Sequence, residues 1–528
     1  MTHSPTVHSR SGVDSVAGGH PTTSLAAALI AAADRYPSRL AVADECTELS
    51  YHDLDRAVGE LTEKLQSNGI RVGTRVAVLL PRSLAGVIAI HAVVRLGATP
   101  APLDPGDPDP RLAAACDGAE ISHLLVGAAD RDRMTPLFGP ALELAPDIFL
   151  ANRARHAVGV ASGSPTTRPG YLLFTSGSTG LPRGVLLGHD AVSHFAGWAA
   201  GRLGLTPADR IAAQSALTFD LSTFDLFSTA MAGAAQLLVP DWLKPFPGDF
   251  VDWLAEKKIS VIYAVPSLVR AISDTSADSA RLPALRTIAY AGEPYPERAL
   301  GELLATLDGV AVHNFYGPTE TNVCTAELLA PNRRAGTPVS IGTAIDGVSV
   351  CVVDDELQAT AGSGELVVAG PTLLDGYLAA GRLVDPCVGV RFPDGIRRRA
   401  YRTGDRAATG PDGRFYLSGR RDAQIKRNGF RIDLAGLEAT AASVAAVRHC
   451  AAIAVPPANR VLLYLEPEPT ATRSADELIA SVHAAVGSIH STRHRPDRVE
   501  VVAELPRNVR GKIDYAQLRS RAAASGET

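Results

Sequence analysis

Short apolar runs recur through the first two-thirds of the chain, at Arg75–Leu80, Ala98–Leu103, Ser122–Val126, Tyr171–Phe174, Gln236–Val239, Val261–Val265 and Arg286–Ala291. Stretches with helical spacing separate them. Such alternation predicts α/β units with mostly parallel sheets. Ser24–Arg35 reads as a capped amphipathic helix. Leu84–Leu103 carries His91 and Arg95, so it reads as a buried helix leading into a strand rather than a membrane span. From about Thr337 the pattern changes to short β-rich runs between Gly, Pro and Asp turns: Val348–Val353, Gly364–Ala369 and Arg414–Leu417. These predict a small barrel or antiparallel sheet. Arg421–Arg521 mixes short strands and helices and could fold alone. The chain up to position 23 and the tail after Leu518 predict disordered or fraying ends.

Composition narrows the picture. Hydrophobic residues make up 46% of the 528 positions and charged residues 20%, which excludes a mainly disordered chain. The net charge of −5 gives no case for nucleic acid or a polybasic membrane patch. The six cysteines are dispersed, with no C-x-x-C pair and no Cys/His cluster. A reducing cytoplasm is therefore the expected compartment, without structural zinc. No signal-peptide core is present in 1–23, and the apolar run Leu25–Ala33 is too short for a bilayer.

One segment carries chemistry. Residues 171–185 read YLLFTSGSTGLPRGV, a strand running into a loop dense in Gly, Ser and Thr. Glycines let backbone N–H groups converge on an anion, hydroxyls of Thr175, Ser176, Ser178 and Thr179 can donate to phosphate oxygens, and Arg183 supplies charge. A plain surface turn is the competing reading. The P-loop and the G-x-S-x-G elbow both fail on spacing.

This loop resembles the phosphate loop of the adenylate-forming superfamily, which includes amino-acid adenylation domains, acyl-CoA synthetases and luciferases. The superfamily's other motifs follow in order. They are Leu49–Tyr51, Leu96–Pro105 (LGATPAPLDP), Phe219–Phe227 (FDLSTFDLF), Asn314–Glu320 (NFYGPTE), Gly364–Leu378, Tyr401–Asp405 (YRTGD), Gly419–Glu438 (GRRDAQIKRNGFRIDLAGLE) and Arg510–Asp514 (RGKID). The resemblance covers roughly Ser24–Leu518. It implies a large N-terminal core over 24–420, with two α/β subdomains to about 335 and a β-barrel-like subdomain over 336–420. A mobile α+β C-terminal domain, 421–528, would swing about a hinge at Asp422.

By resemblance, a carboxylate and ATP give an acyl adenylate and pyrophosphate. The phosphate loop Thr175, Ser176, Gly177, Ser178, Thr179 and Gly180 would hold ATP with Arg183, where the family usually has Lys. Gly292, Glu293, Asn314, Phe315, Tyr316 and Gly317 would also bind the nucleotide, with Tyr316 stacking on adenine and Asn314 reading its amino edge. Thr319 would touch the α-phosphate, and Glu320 would hold Mg²⁺. Asp405 would accept the ribose hydroxyls with help from Arg420. Only six lysines stand among 51 basic residues. One of them, Lys512 in RGKID, falls on the catalytic lysine that bridges the substrate carboxylate and the α-phosphate.

Asp220 sets the substrate class, because the matching Asp in amino-acid-activating members pairs with the α-ammonium. Leu221, Phe224, Tyr263, Ala289, Ala291, Phe315, Val323 and Cys324 would line the side-chain pocket. None is charged, so a small or medium apolar amino acid is favoured. The pattern resembles free-standing L-prolyl-AMP ligases; alanine, valine and other aliphatics remain open. With no carrier segment after RGKID, the acceptor is expected to be the phosphopantetheine thiol of a separate carrier protein, and the chain a monomer or weak dimer. The rivals are an acyl-CoA synthetase of the same superfamily and a catalytically silent nucleotide-binding scaffold.

Overall fold

The computed structural model describes residues 24–153, 170–176, 182–275, 277–331, 333, 338–420, 424–427, 430–455, 459–468, 473–490, 494–507 and 513–524. Gly177, Ser178, Thr179, Gly180, Asp422 and Lys512, all expected to be functional, lie outside them, as does the side chain of Ser176.

Two α/β layers carry the site. In one sheet, Arg75–Leu79 lies between Thr99–Pro102 and His123–Val126 and is parallel to both. The predicted helix-then-strand at Leu84–Leu103 resolves into a helix, Leu84–Arg95, capped by the Ser83 hydroxyl, and the strand Thr99–Pro102. His91 is buried in that helix and its pKa falls to about 4, because burial penalises the imidazolium and Arg95 lies near.

The second sheet is larger. Its central strands run parallel in the order Ala311–Tyr316, Thr287–Tyr290, Val261–Ala264, Arg210–Ala213, Ala235–Leu238 and Leu40–Ala43. Every residue of Val261–Ala264 and Thr287–Tyr290 is buried. That is why these runs, Thr287 apart, are near-continuously apolar rather than alternating. In open parallel sheets, ligand crevices form beyond the carboxyl ends of the strands. Here the residues that follow those ends are 214–220, 265, 291–292 and 317–320.

A third, antiparallel sheet joins Tyr171–Ser176 to Pro182–Leu187 and, through it, to Gly376–Ala379. The glycine-rich segment thus connects two neighbouring strands. The β-rich stretch forms an antiparallel sheet of Ser349–Val353, Ser363–Ala369, Arg397–Thr409 and Phe415–Arg420. Beyond it, the hairpin Gln424–Arg427/Phe430–Asp433 precedes a sheet of Val447–Val455, Arg460–Pro467 and Arg498–Val501. This last region has its own apolar cluster, including Ile432, Leu437, Leu463 and Val482.

Candidate active site

The FDLSTFDLF segment follows Arg210–Ala213 through a short loop and enters a π-helical turn, Phe224–Ser228. Phe224 and Phe227 are fully buried, and Phe227 packs edge-on against Tyr171 with centroids 6.2 Å apart. These aromatic contacts hold the turn, and the turn presents Asp220. The Thr223 hydroxyl donates to the Asp220 carbonyl at 2.6 Å, and Asn322 donates to Thr223 at 3.0 Å.

The parallel register sets Tyr263 beside Ala289. Phe315 projects from the next strand but one, and the Tyr263 ring meets Phe224 (5.1 Å, 78°) and Phe315 (5.6 Å, 65°) edge to face. Trp198 supports Phe315 from behind at 5.0 Å. Between them these rings build an apolar wall.

One cavity gathers part of the predicted set, while Arg183, Glu293, Asn314, Tyr316, Glu320 and Asp405 are not among its lining residues. Thr175, Asp220, Leu221, Tyr263, Ala291, Gly292, Gly317, Thr319, Val323 and Arg420 all line it. Phe224, Ala289, Phe315 and Cys324 sit behind that lining, fully buried. At Gly317 a Cβ would lie 1.8 Å from the Asn322 carbonyl oxygen, so the close crossing of these two segments requires glycine. Glu293 follows Gly292 and is half-buried.

Asp220 is 6% exposed, and its pKa is raised because burial penalises the carboxylate. A hydrogen bond with Thr319 and the charge of Lys426 oppose that shift, while Glu320 adds to it. A buried carboxylate held this way is poised to take a cationic partner. Asp405 is equally buried but fully engaged: Arg420 donates to one oxygen and the Tyr316 phenol to the other, both at 2.5 Å. The expected ribose and adenine residues are therefore in direct contact. The Asn314 side-chain amide donates to the Ser340 carbonyl at 2.7 Å.

Glu320 is 1% exposed and accepts from the Tyr377 phenol at 2.7 Å; Tyr377 also meets the Tyr401 phenol at 3.0 Å. Arg183 lies over the Tyr377 ring, 4.8 Å from its centroid. The expected pyrophosphate and metal residues are thus linked through one tyrosine. Among the described residues no cluster of three His, Cys, Asp or Glu could hold a metal by itself.

Sequence reasoning missed several participants. Lys426 lines the cavity and sits 5.8 Å from the Tyr316 ring centroid. Its signal was available, since it is another of the six lysines and lies inside GRRDAQIKRNGFRI. Arg111 and His494 also line the cavity, and nothing local in the sequence marks them. Asp225, five residues beyond Asp220, is 2% exposed, accepts from the Ser215 amide at 3.3 Å, and is pushed by burial to a pKa of about 8.

Residues 29–378 match the family model described as AMP-binding enzyme. The chain is 33% identical over 503 residues to an L-proline–[L-prolyl-carrier protein] ligase of Pseudomonas fluorescens, covering 91% of this chain and 95% of the relative. A Streptomyces coelicolor protein of the same name is 32% identical over 508 residues, covering 89% of this chain and 91% of the relative. In fold, the chain is similar to the Vibrio cholerae adenylation domain AlmE in complex with glycyl-adenosine-5′-phosphate. The TM-score is 0.80 at 21% identity, covering 97% of this chain and all of that one. With the family model matched over most of its length and two relatives above 30% identity across most of both chains, this chain belongs to the AMP-binding enzyme family.

Proposed function

We propose that this enzyme activates L-proline with ATP to prolyl-AMP and pyrophosphate, then transfers the prolyl group to the phosphopantetheine thiol of a separate carrier protein. The observation that carries the reading is Asp220. It is the carboxylate beside an otherwise apolar wall, in a cavity shared with Thr319 and Arg420. Proline's secondary ammonium still offers two N–H groups to that carboxylate, and its ring suits the wall of Leu221, Tyr263 and Val323. The names of the two carrier-protein ligases point the same way.

In the first step a carboxylate oxygen of the amino acid attacks the α-phosphorus of ATP, and the bond to the bridging oxygen of pyrophosphate breaks. The nucleophile is already an anion, so this step needs no general base; positioning and charge neutralisation lower the barrier. Asp220 fixes the ammonium end, and Lys512 takes the carboxylate end. Asp405, with Arg420 and Tyr316 upon it, is pre-ordered to accept the ribose hydroxyls.

The donor set also suits Mg²⁺. Glu320 is one buried carboxylate near the expected phosphates, and this ion is usually held by one or two carboxylates with phosphates supplying further oxygens. Bound there, it would neutralise phosphate charge. Among the described residues no helix is long and apolar enough to cross a membrane; we place the enzyme in the cytoplasm.

Amino-acid-dependent exchange of labelled pyrophosphate into ATP tests the reading. Exchange with proline well above alanine and valine is the expected result. Exchange only with aryl or fatty acids would replace it with an acyl-CoA synthetase, and no exchange with any acid would favour the scaffold. Lys512→Ala should abolish exchange yet spare transfer from preformed prolyl-AMP.

A further inference from the structure

Arg111 stands in the first turn of the helix Asp109–Gly118. It is 6% exposed, and its Nε donates to Asp107 at 3.2 Å. Its Nη1 is buried with no hydrogen-bond partner. A guanidinium carries five donors, and a buried one left unmatched is costly. The same side chain lines the site cavity together with Thr175, Lys426 and His494.

Its neighbours point to a particular ligand. The helix Asp109–Gly118 packs against Pro182–Leu187, the strand that leaves the glycine-rich loop, and against the helix Ala475–Ile489 from the C-terminal region. Arg111 is therefore set between the phosphate-loop sheet and the last region of the chain. The charged residues lining this cavity are mostly cationic: Arg111, Arg420 and Lys426 against Asp220, with Asp107 paired to Arg111. His490, next to Arg111, has its pKa lowered to about 4 by burial first and by that guanidinium second, so it stays neutral and adds no second positive charge. A planar fork of donors with surplus positive charge matches phosphate oxygens.

We infer that Arg111 binds a phosphate group at the junction between the nucleotide site and the C-terminal region. Two phosphates reach this cavity under the proposed function, on which this inference rests: the pyrophosphoryl end of ATP and the phosphate of the carrier's phosphopantetheine arm.

The full-length protein, with Arg111→Ala and Arg111→Lys, separates them. Calorimetric titration of inorganic pyrophosphate reads the first source. Transfer from preformed prolyl-AMP to phosphopantetheine, with pantetheine as the phosphate-free acceptor, reads the second. For the nucleotide source, Arg111→Ala weakens pyrophosphate binding and raises the ATP KM about ten- to a hundredfold, leaving the proline KM in place. For the carrier source, pyrophosphate binding is unchanged, and the preference for phosphopantetheine over pantetheine falls by a similar factor. Arg111→Lys, which keeps the charge, should retain part of either effect. If Arg111→Ala remains folded by thermal melting and changes neither readout, the inference is overturned. Loss of proline exchange in the wild type would sink the proline reading alone, since the pyrophosphate titration needs no amino acid.

Discussion

Asp209 and Asp220 flank the same strand, Arg210–Ala213, and are almost equally buried, at 4% and 6% exposed. Their chemistry is opposite. Asp209 accepts from Arg286 through both carboxylate oxygens, from Ser260, and from the Thr206 amide and hydroxyl. Burial pushes its pKa up, but these partners outweigh that and bring it down to about 2. Asp220 has Thr319 and the more distant charge of Lys426, and burial wins. Burial alone therefore does not distinguish a structural carboxylate from one kept for a ligand; the supply of fixed donors does. Asp405 lies between the two, engaged by Tyr316 and by Arg420, which itself lines the cavity.

Four experiments press on this contrast. The largest effect belongs to Asp220→Ala, which should raise the proline KM by about a hundredfold and the ATP KM far less. Its melting temperature should hold or rise, because an incompletely compensated buried charge is removed. A selective ATP defect would place Asp220 elsewhere. Next, Asp405→Ala should raise the ATP KM about tenfold or more while the proline KM stays near wild type.

Asp209→Ala should do the reverse of Asp220→Ala. Chemical denaturation should show a loss of about 1–3 kcal/mol, with both KM values unchanged. A catalytic defect without a stability loss would end the distinction drawn here.

The smallest effects are those of pH. Asp209 has a lowered folded pKa, so its contribution is present above about 3.8 and is lost as pH falls towards about 2. With Arg286 partly exposed and screened by water, that contribution is on the order of 1 kcal/mol. Asp220 has a raised folded pKa, so ionising it costs stability, and that cost is relieved as pH falls. Ligand binding takes the opposite sign: the proline KM should rise as pH falls through the raised pKa, because the ammonium needs the ionised form. Asp220→Asn should flatten that KM profile and leave the acid limb of stability intact.

Much of the architecture is legible without coordinates. Tyr171–Phe174, Val261–Val265 and Arg286–Ala291 read as strands because both faces of these sheets are covered, which leaves a near-continuous apolar signature. The residues of NFYGPTE are adjacent in the chain, and a strand end followed by a turn keeps them adjacent in space. The wall residues were less legible. Leu221, Tyr263, Ala291 and Val323 line the cavity, whereas Phe224, Ala289, Phe315 and Cys324 back it, and only packing decides between those places.

The sequence by itself determined the family, the order of its motifs and the parallel strands, because each is written in neighbouring residues or in a local repeat of apolarity. Tertiary structure alone decided that Lys426, Arg111 and His494 meet in one cavity from separate segments of the chain. It also decided that Asp209 is tied off while Asp220 is not. The physical reason is the same in both cases: the state of a buried charge depends on donors delivered by other parts of the chain, and chain distance does not record who arrives.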